Sequence, residues 1–286
     1  DIPAPAKLNL FLHVVGRRDD GYHLLQSPFV LIDWADTLHV ERRDDGALRR
    51  HDLGAPLPAD DLCLRAARAL QQASGTSQGA DISIDKRLPA GAGMGGGSSD
   101  AASTLLALNR LWGLRWPRER LLALAATIGA DVPFFVGGDN AFVEGIGDRL
   151  RPITLPPMWF AVLKPSASID TASIFGAAEL VRDTEPVILT GSLDDASRIA
   201  DWVSGYGRND LQPPAQGRCP EVAQAARWLE DRFGNSRMTG SGSAVFARAG
   251  TGDQPVATLQ VQELAPGWEG RMCRSLPGHP LRGWAG

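Results

Sequence analysis

Residues 89 to 103 read PAGAGMGGGSSDAAS, with glycine at five of the seven positions from Gly91 to Gly97 and then Ser98, Ser99 and Asp100. Glycine costs backbone entropy and is kept where φ must be positive or where another group must come close to the main chain. Ser98, Ser99 and Asp100 are helix-starting residue types, and Ala101, Leu105, Leu108 and Trp112 recur at a helical period, so the glycines open a helix. Before them, residues 80 to 86 alternate apolar and polar side chains, the mark of a half-buried strand. Strand, bare loop and helix start turn several backbone N–H groups and the positive end of a helix dipole toward one point, which suits a phosphate. The plain alternative is an ordinary tight turn.

These residues need a frame. Residues 7 to 16 are expected as a first strand, with Leu8, Leu10, Leu12 and Val14 on a core face and Lys7, Asn9, Phe11 and His13 on an available one. Short strands are predicted over Leu24 to Asp33, Thr37 to Arg43 and Leu48 to Leu53, separated by Asp and Gly punctuation. A helix over Leu62 to Ala73, the strand at 80, a helix over 99 to 112 and another from Pro117 to Gly129 come next, and Asn140 to Gly147 resumes strand character. Pro152, Pro156 and Pro157 mark a boundary. Beyond it the pattern predicts strands over 159–163, 244–248 and 269–275 and helices over 219–233 and 255–264. The whole is an α+β alternation in two domains, 1–150 and 151–286.

Composition narrows the classes of function. A net charge of −4 with a pI near 5.8 and no long basic block argues against a nucleic-acid surface. Cys63, Cys219 and Cys273 lie far apart with no paired spacing, so buried thiols in a reducing cytoplasm are expected rather than disulfides or a zinc site. No apolar run approaches a membrane span, and Asp1-Ile2-Pro3 has no signal pattern. The chain opens without Met, which implies residues missing upstream.

Three phosphate-binding loops compete for the glycines. The Walker form ends in G-K-[ST], and this loop holds no lysine. Gly91-x-Gly93-x-x-Gly96 matches the dinucleotide fingerprint, but that unit needs a βαβ crossover with an acidic residue closing the next strand; here a helix follows the helix and Trp116 stands nearby. The third form is P-x-x-x-G-[LM]-G-x-x-S-S. Pro89, Gly93-Met94-Gly95 and Gly97-Ser98-Ser99 resemble the second motif of the galactokinase, homoserine kinase, mevalonate kinase and phosphomevalonate kinase superfamily. Residues 5 to 12, PAKLNLFL, resemble its first motif, and residues 238 to 246, MTGSGSAVF, its third. Gly16, Asp20-Gly21-Tyr22-His23, residues 84 to 89 and residues 129 to 135 are similar to one branch of that superfamily, whose acceptor is an alcohol linked to a cytidine diphosphate.

The resemblance covers residues 5 to about 248. It implies an α+β GHMP kinase fold of two domains, the first ribosomal protein S5 domain 2-like and ATP-binding, the second ferredoxin-like and substrate-side. It implies ATP and Mg²⁺ as cofactors, a cytidine diphosphate-linked methylerythritol as small-molecule substrate, a place in the non-mevalonate isoprenoid route, no nucleic acid or membrane partner, and a cytoplasmic monomer or homodimer. The implied catalytic residues are Asp131 as base and Lys7 as its cationic partner. Read from pattern alone, Asp131 before Val132-Pro133 is also a helix cap and Lys7 a solvated edge lysine. The ATP side is expected to use Lys86, Pro89, Gly91, Gly93, Met94, Gly95, Gly96, Gly97, Ser98 and Ser99, with Ser98 or Ser99 as a metal ligand or simply as helix-starting residues. Asn9, Tyr22, His23, Asp131, Thr171, Phe175, Gly240 and Gly242 are expected at the substrate, Tyr22 and Phe175 holding cytosine between them unless they are plain core aromatics. The sequence departs from the family at Asp61, where asparagine is usual near adenine, and at Asp170, where proline is common. A dinucleotide-dependent oxidoreductase and a non-enzymatic nucleotide-binding module are the rival classes.

Overall fold

The computed structural model describes residues 1–188 and 195–285. Its first sheet holds β1 (Ile2–Asn9), β2 (His13–Arg17), β3 (His23–Arg43), β4 (Leu48–Asp52) and β5 (Gly79–Asp85), with β6 (Ala141–Gly145) and β7 (Arg149–Pro152). Helices α1 (Leu62–Ser74), α2 (Gly96–Leu111), α3 (Arg118–Ala125) and α4 (Val132–Gly137) cover one face of it. The second sheet has the order β11–β8–β10–β9, from β8 (Met158–Lys164), β9 (Arg237–Met238), β10 (Val245–Thr251) and β11 (Glu269–Arg274). Its helices are α5 (Thr171–Phe175), α6 (Ala196–Ser204), α7 (Gln212–Arg218) and α8 (Pro220–Phe233), of which α5, α7 and α8 share its own core.

The spine of the first sheet is β3, a single strand of 21 residues that pairs with β1, β2, β5 and β6. Two strands divided by Asp33 and Asp36 were expected here. The strand runs on because its punctuation is satisfied in place: Asp33 accepts the Arg274 amide at 2.9 Å, and fully buried Asp36 accepts the amides of Arg87 and Leu88 at 2.6 and 2.7 Å. A carboxylate that terminates a strand when solvated continues one when its partners are internal.

The first strand is shorter than expected and covered on both faces. Ala6, Leu8 and Leu10 pack with Phe160, Val162 and Phe246 of the second sheet, while Lys7 and Asn9 face the opposite way and are also buried. After Asn9 the alternation lapses, so Phe11 and His13, placed on the available face by parity, are buried as well. The helix expected over 255–264 is reduced to a single 3₁₀ turn, Val261–Glu263. Val256 and Val261 are mostly exposed there while Leu259 is buried and Leu264 packs against the second core, so the apolar residues of that stretch do not line up on one helical face.

The backbone beyond β11 crosses back to the first sheet. Leu276 donates its amide to the Leu31 carbonyl at 2.8 Å, His279 donates to Gly138 at 2.7 Å, and Leu281 and Ala285 enter the core under α2 and α4. Arg118 fastens this return by donating to the carbonyls of Gly137 and Ala285 at 3.1 and 2.9 Å. All three cysteines are buried and unbridged, as expected. Among the described residues no helix is long and apolar enough to cross a membrane.

Candidate active site

The glycine loop sits between two other segments of the chain and is hydrogen-bonded to both. Lys7 of β1 donates its amide to Met94 O at 3.0 Å, and the amides of Ser243 and Ala244 reach Gly91 O and Ala92 O at 3.1 and 3.2 Å. Glycine is required where the loop meets the 238–246 segment. Gly93 has φ +72°, and a Cβ on it would run into the Thr239 carbonyl and lie 3.0 Å from Gly242 N; a Cβ on Gly240, φ +54°, would lie 2.6 Å from Gly93 O. Helix α2 begins inside the glycine run, with Gly95 at the cap in a left-handed conformation, so Ser98, Ser99 and Asp100 occupy its first turns instead of preceding it.

Asn9 ties the first strand to this junction. Its Oδ1 accepts from Lys7 Nζ at 2.7 Å, Thr239 Oγ1 at 3.1 Å and the Gly240 amide at 2.8 Å, while its Nδ2 donates to Ser27 Oγ at 2.9 Å. Lys7 is 3% exposed, rests 4.4 Å over the Phe29 ring, and points its ammonium at Asp131 Oδ2, 3.8 Å away. Burial pulls the Lys7 ammonium down from its ordinary range, and the Asp131 carboxylate opposes that fall. The solvated edge lysine is therefore not the arrangement found. Asp131 stands immediately before α4, yet its side chain makes no capping bond; a third of it is exposed and it faces the ammonium.

Lys7, Asn9 and Asp131 line a cavity of about 750 Å³, and so do Gly93, Gly95, Ser98, Tyr22, His23, Thr171, Phe175 and Gly240. At its far end the His23 and Phe175 rings lie 5.1 Å apart, with Tyr22 61% exposed on the rim instead of in the core. Thr171 Oγ1 and Ser241 Oγ are hydrogen-bonded at 2.7 Å across the floor. Pro89, Gly91, Met94, Gly96, Gly97, Ser99, Gly242 and Lys86 stand outside the lining. Lys86 is held by Asp36 and by Asp100, the latter at 2.6 Å. Two buried carboxylates on one ammonium leave a proton favoured, and burial raises the Asp100 carboxyl far above its usual range. Asp100 Oδ1 and Ser99 Oγ are buried without a hydrogen-bond partner.

The two departures have structural employment. Asp61 caps α1 through the Leu64 amide at 3.1 Å and pairs with Arg50 at 2.8 Å. Asp170 caps α5, the helix carrying Thr171 and Phe175, through the Ser173 amide at 2.8 Å. Ser27, Phe29, Thr239 and Arg182 were not singled out in the sequence. Ser241 and Thr239 lay inside a quoted motif, whereas Phe29 and Arg182 carried no local signal.

A glycine loop at a helix start, a buried ammonium against a carboxylate and a pair of facing rings in one cavity suit a small-molecule kinase, and comparison with known proteins agrees. The model for the GHMP kinases N terminal domain matches residues 61–139 and that for GHMP kinases C terminal matches residues 187–264. The chain belongs to the GHMP kinases, small-molecule kinases that use ATP. In particular, it is similar along its whole length to proteins named 4-diphosphocytidyl-2-C-methyl-D-erythritol kinase: that of Methylibium petroleiphilum is 64% identical, covering 100% of this chain and 98% of the relative, and that of Variovorax paradoxus 55% identical with the same coverage. A crystal structure of 4-(cytidine 5'-diphospho)-2C-methyl-D-erythritol kinase matches with a TM-score of 0.73 at 37% identity, over 86% of this chain and 89% of that one. The oxidoreductase reading falls with these matches.

Proposed function

We propose that this protein transfers the terminal phosphoryl group of ATP to the 2-hydroxyl of 4-diphosphocytidyl-2-C-methyl-D-erythritol, in the non-mevalonate route to isoprenoid precursors. One observation carries the reading: Lys7 Nζ and Asp131 Oδ2 lie 3.8 Å apart in the wall of a cavity that has the glycine loop at one end and Tyr22, His23 and Phe175 at the other. In this reading residues 1–150 form the ATP side and 151–286 the substrate side.

Phosphoryl transfer needs position and charge neutralisation more than covalent chemistry. Asp131 accepts or orients the proton of the attacking hydroxyl, and the Lys7 ammonium pairs with that carboxylate and faces the oxygens that gain charge. Asn9 fixes the ammonium, so its amide oxygen is engaged before any ligand arrives. The amides of the glycine loop and the start of α2 hold the phosphates. Tyr22 and Phe175 sandwich the cytosine, His23 reads its edge, and Thr171 and Gly240 shape the diphosphate path, with Gly242 packed behind them beside Gly93.

Among the described residues no cluster of three His, Cys, Asp or Glu side chains could hold a metal. The cavity does offer hard oxygens, among them the Ser98 hydroxyl and the Asp131 carboxylate, which suits an Mg²⁺ ion held largely by nucleotide phosphates and water. Ser98 and Asp131 would then contact the ion, which supplies charge neutralisation at the transferring group. Ser99, with its hydroxyl buried behind the loop, is the less suited of the two serines. The enzyme is taken to act in the cytoplasm, as a monomer or homodimer, without nucleic-acid or membrane partners.

The deciding experiment is ADP release from Mg²⁺-ATP with a panel of alcohols that includes the cytidine diphosphate compound. Turnover with that compound alone is expected. Asp131→Ala should lower kcat by about a hundredfold to ten-thousandfold with little change in KM. Wild-type turnover by Asp131→Ala would remove the carboxylate from the chemistry.

A further inference from the structure

Arg182 lies in the loop after α5 and spends four of its five N–H directions. Its Nη1 donates to Leu180 O at 3.0 Å, its Nη2 to Phe175 O at 3.0 Å and Ala177 O at 2.7 Å, and its Nε to Nε2 of His23 at 3.1 Å. The first three bonds gather the carbonyl of Phe175, the last residue of α5, with those of Ala177 and Leu180 in the segment that follows it. The fourth crosses to the first sheet. A guanidinium has no acceptor atom and keeps its protons at any ordinary pH, so His23 Nε2 must be the accepting nitrogen and the neutral ring carries its proton on Nδ1. Burial, then the charges of Arg182 and Arg17, hold the His23 imidazolium below its ordinary range, so the ring is neutral. His23 and Phe175 line the same cavity, and their rings lie 5.1 Å apart with their planes 34° apart.

We propose that Arg182 is a positioning residue for base selection: it clasps the helix end carrying Phe175 and locks His23 as the Nδ1–H tautomer, so that the ring offers a donor and no acceptor to the pyrimidine. This rests on the cytidine diphosphate reading above. Cytosine presents an acceptor at N3, the position that distinguishes it from uracil, and a fixed N–H donor aimed there satisfies it. Uracil carries a proton on N3, which would meet that donor head on and leave a polar pair unmatched. Free histidine, lacking such a partner, can present either nitrogen as donor, so the selectivity lies in the arginine that removes the choice.

The test uses the full chain as wild type, Arg182→Ala and Arg182→Lys, the lysine variant keeping the charge without the fork. Nitrogen-15 NMR of the histidine rings should show His23 protonated on Nδ1 in the wild type and shifted toward the Nε2–H form in both variants. In kinetics, KM for the cytidine diphosphate compound should rise about tenfold while kcat and the KM for ATP stay within about twofold, and preference over the uridine counterpart should narrow. A wild-type ring protonated on Nε2 overturns the inference, and this measurement needs no variant to fold. Unchanged KM and preference in both variants, or a kcat that falls in step with thermal stability, also overturn it. A wild type that ignores the cytidine compound overturns the proposed function itself, and the inference with it.

Discussion

At the scale of single residues the site depends on a lysine ammonium placed where burial opposes its charge. Lys7 has two counterweights, the Asp131 carboxylate and the Asn9 carbonyl, and only the first was visible in the sequence. Asn9 read as a substrate contact because it shares a strand face with Lys7; in the fold its oxygen already accepts three donors from two distant parts of the chain. Asn9→Ala should therefore cost stability as well as rate. Leaving the Lys7 ammonium and the Thr239 and Gly240 donors short of an acceptor is expected to lower unfolding free energy by about 2–4 kcal/mol, measured by urea denaturation, with kcat falling in parallel. A variant of unchanged stability would show that solvent replaces the lost carbonyl. No periodicity argument could have found this, since the donors at Thr239 and Gly240 stand 230 and 231 positions away.

Among the elements, the glycine loop was the most legible because its chemistry is local: strand, bare backbone and helix start follow one another directly. What could not be read was the depth of its docking against the 238–246 segment, which is a matter of tertiary contact. Gly93→Ala places a methyl against the Thr239 carbonyl in a left-handed backbone, so it should raise the KM for ATP and lower Tm, whereas Gly97→Ala, whose nearest neighbour would be a Leu62 methyl at 3.6 Å, should leave Tm nearly unchanged. Equal melting temperatures for the two would refute the docking argument. Behind the loop, Asp100 was expected only to start a helix, yet it shares Lys86 with Asp36. A carboxyl whose folded pKa lies above its unfolded value stabilises the fold at low pH and costs stability as pH rises through that folded value. Asp100→Asn, which leaves Lys86 paired with Asp36, should thus gain stability over wild type at about pH 8 and lose that gain toward about pH 5. A gain that grows on acidification would contradict it.

For the whole molecule, the α+β class and most strands and helices followed from patterning, while the return of residues 275–285 to the first sheet did not: a short irregular segment has no period to read. His279 belongs to this return. Its Nδ1 accepts the Leu281 amide at 3.1 Å, its Nε2 is buried without a partner, and burial followed by the charge of Arg118 depresses its pKa to about 4. The free side chain titrates near 6.5, so stability is complete above that value and falls as acidification favours the unfolded form; at about pH 5 the loss from this residue is about 2 kcal/mol. His279→Asn, which keeps an acceptor for Leu281, should flatten that part of the curve in chemical denaturation at a series of pH values, and an unaltered acid slope would remove His279 from the account. The same return bears on how the protein is made. Leu31 emerges early from the ribosome, but the amide that completes it at Leu276 emerges long afterwards, so the earlier half of the polypeptide must wait, partly open, while the later half is translated.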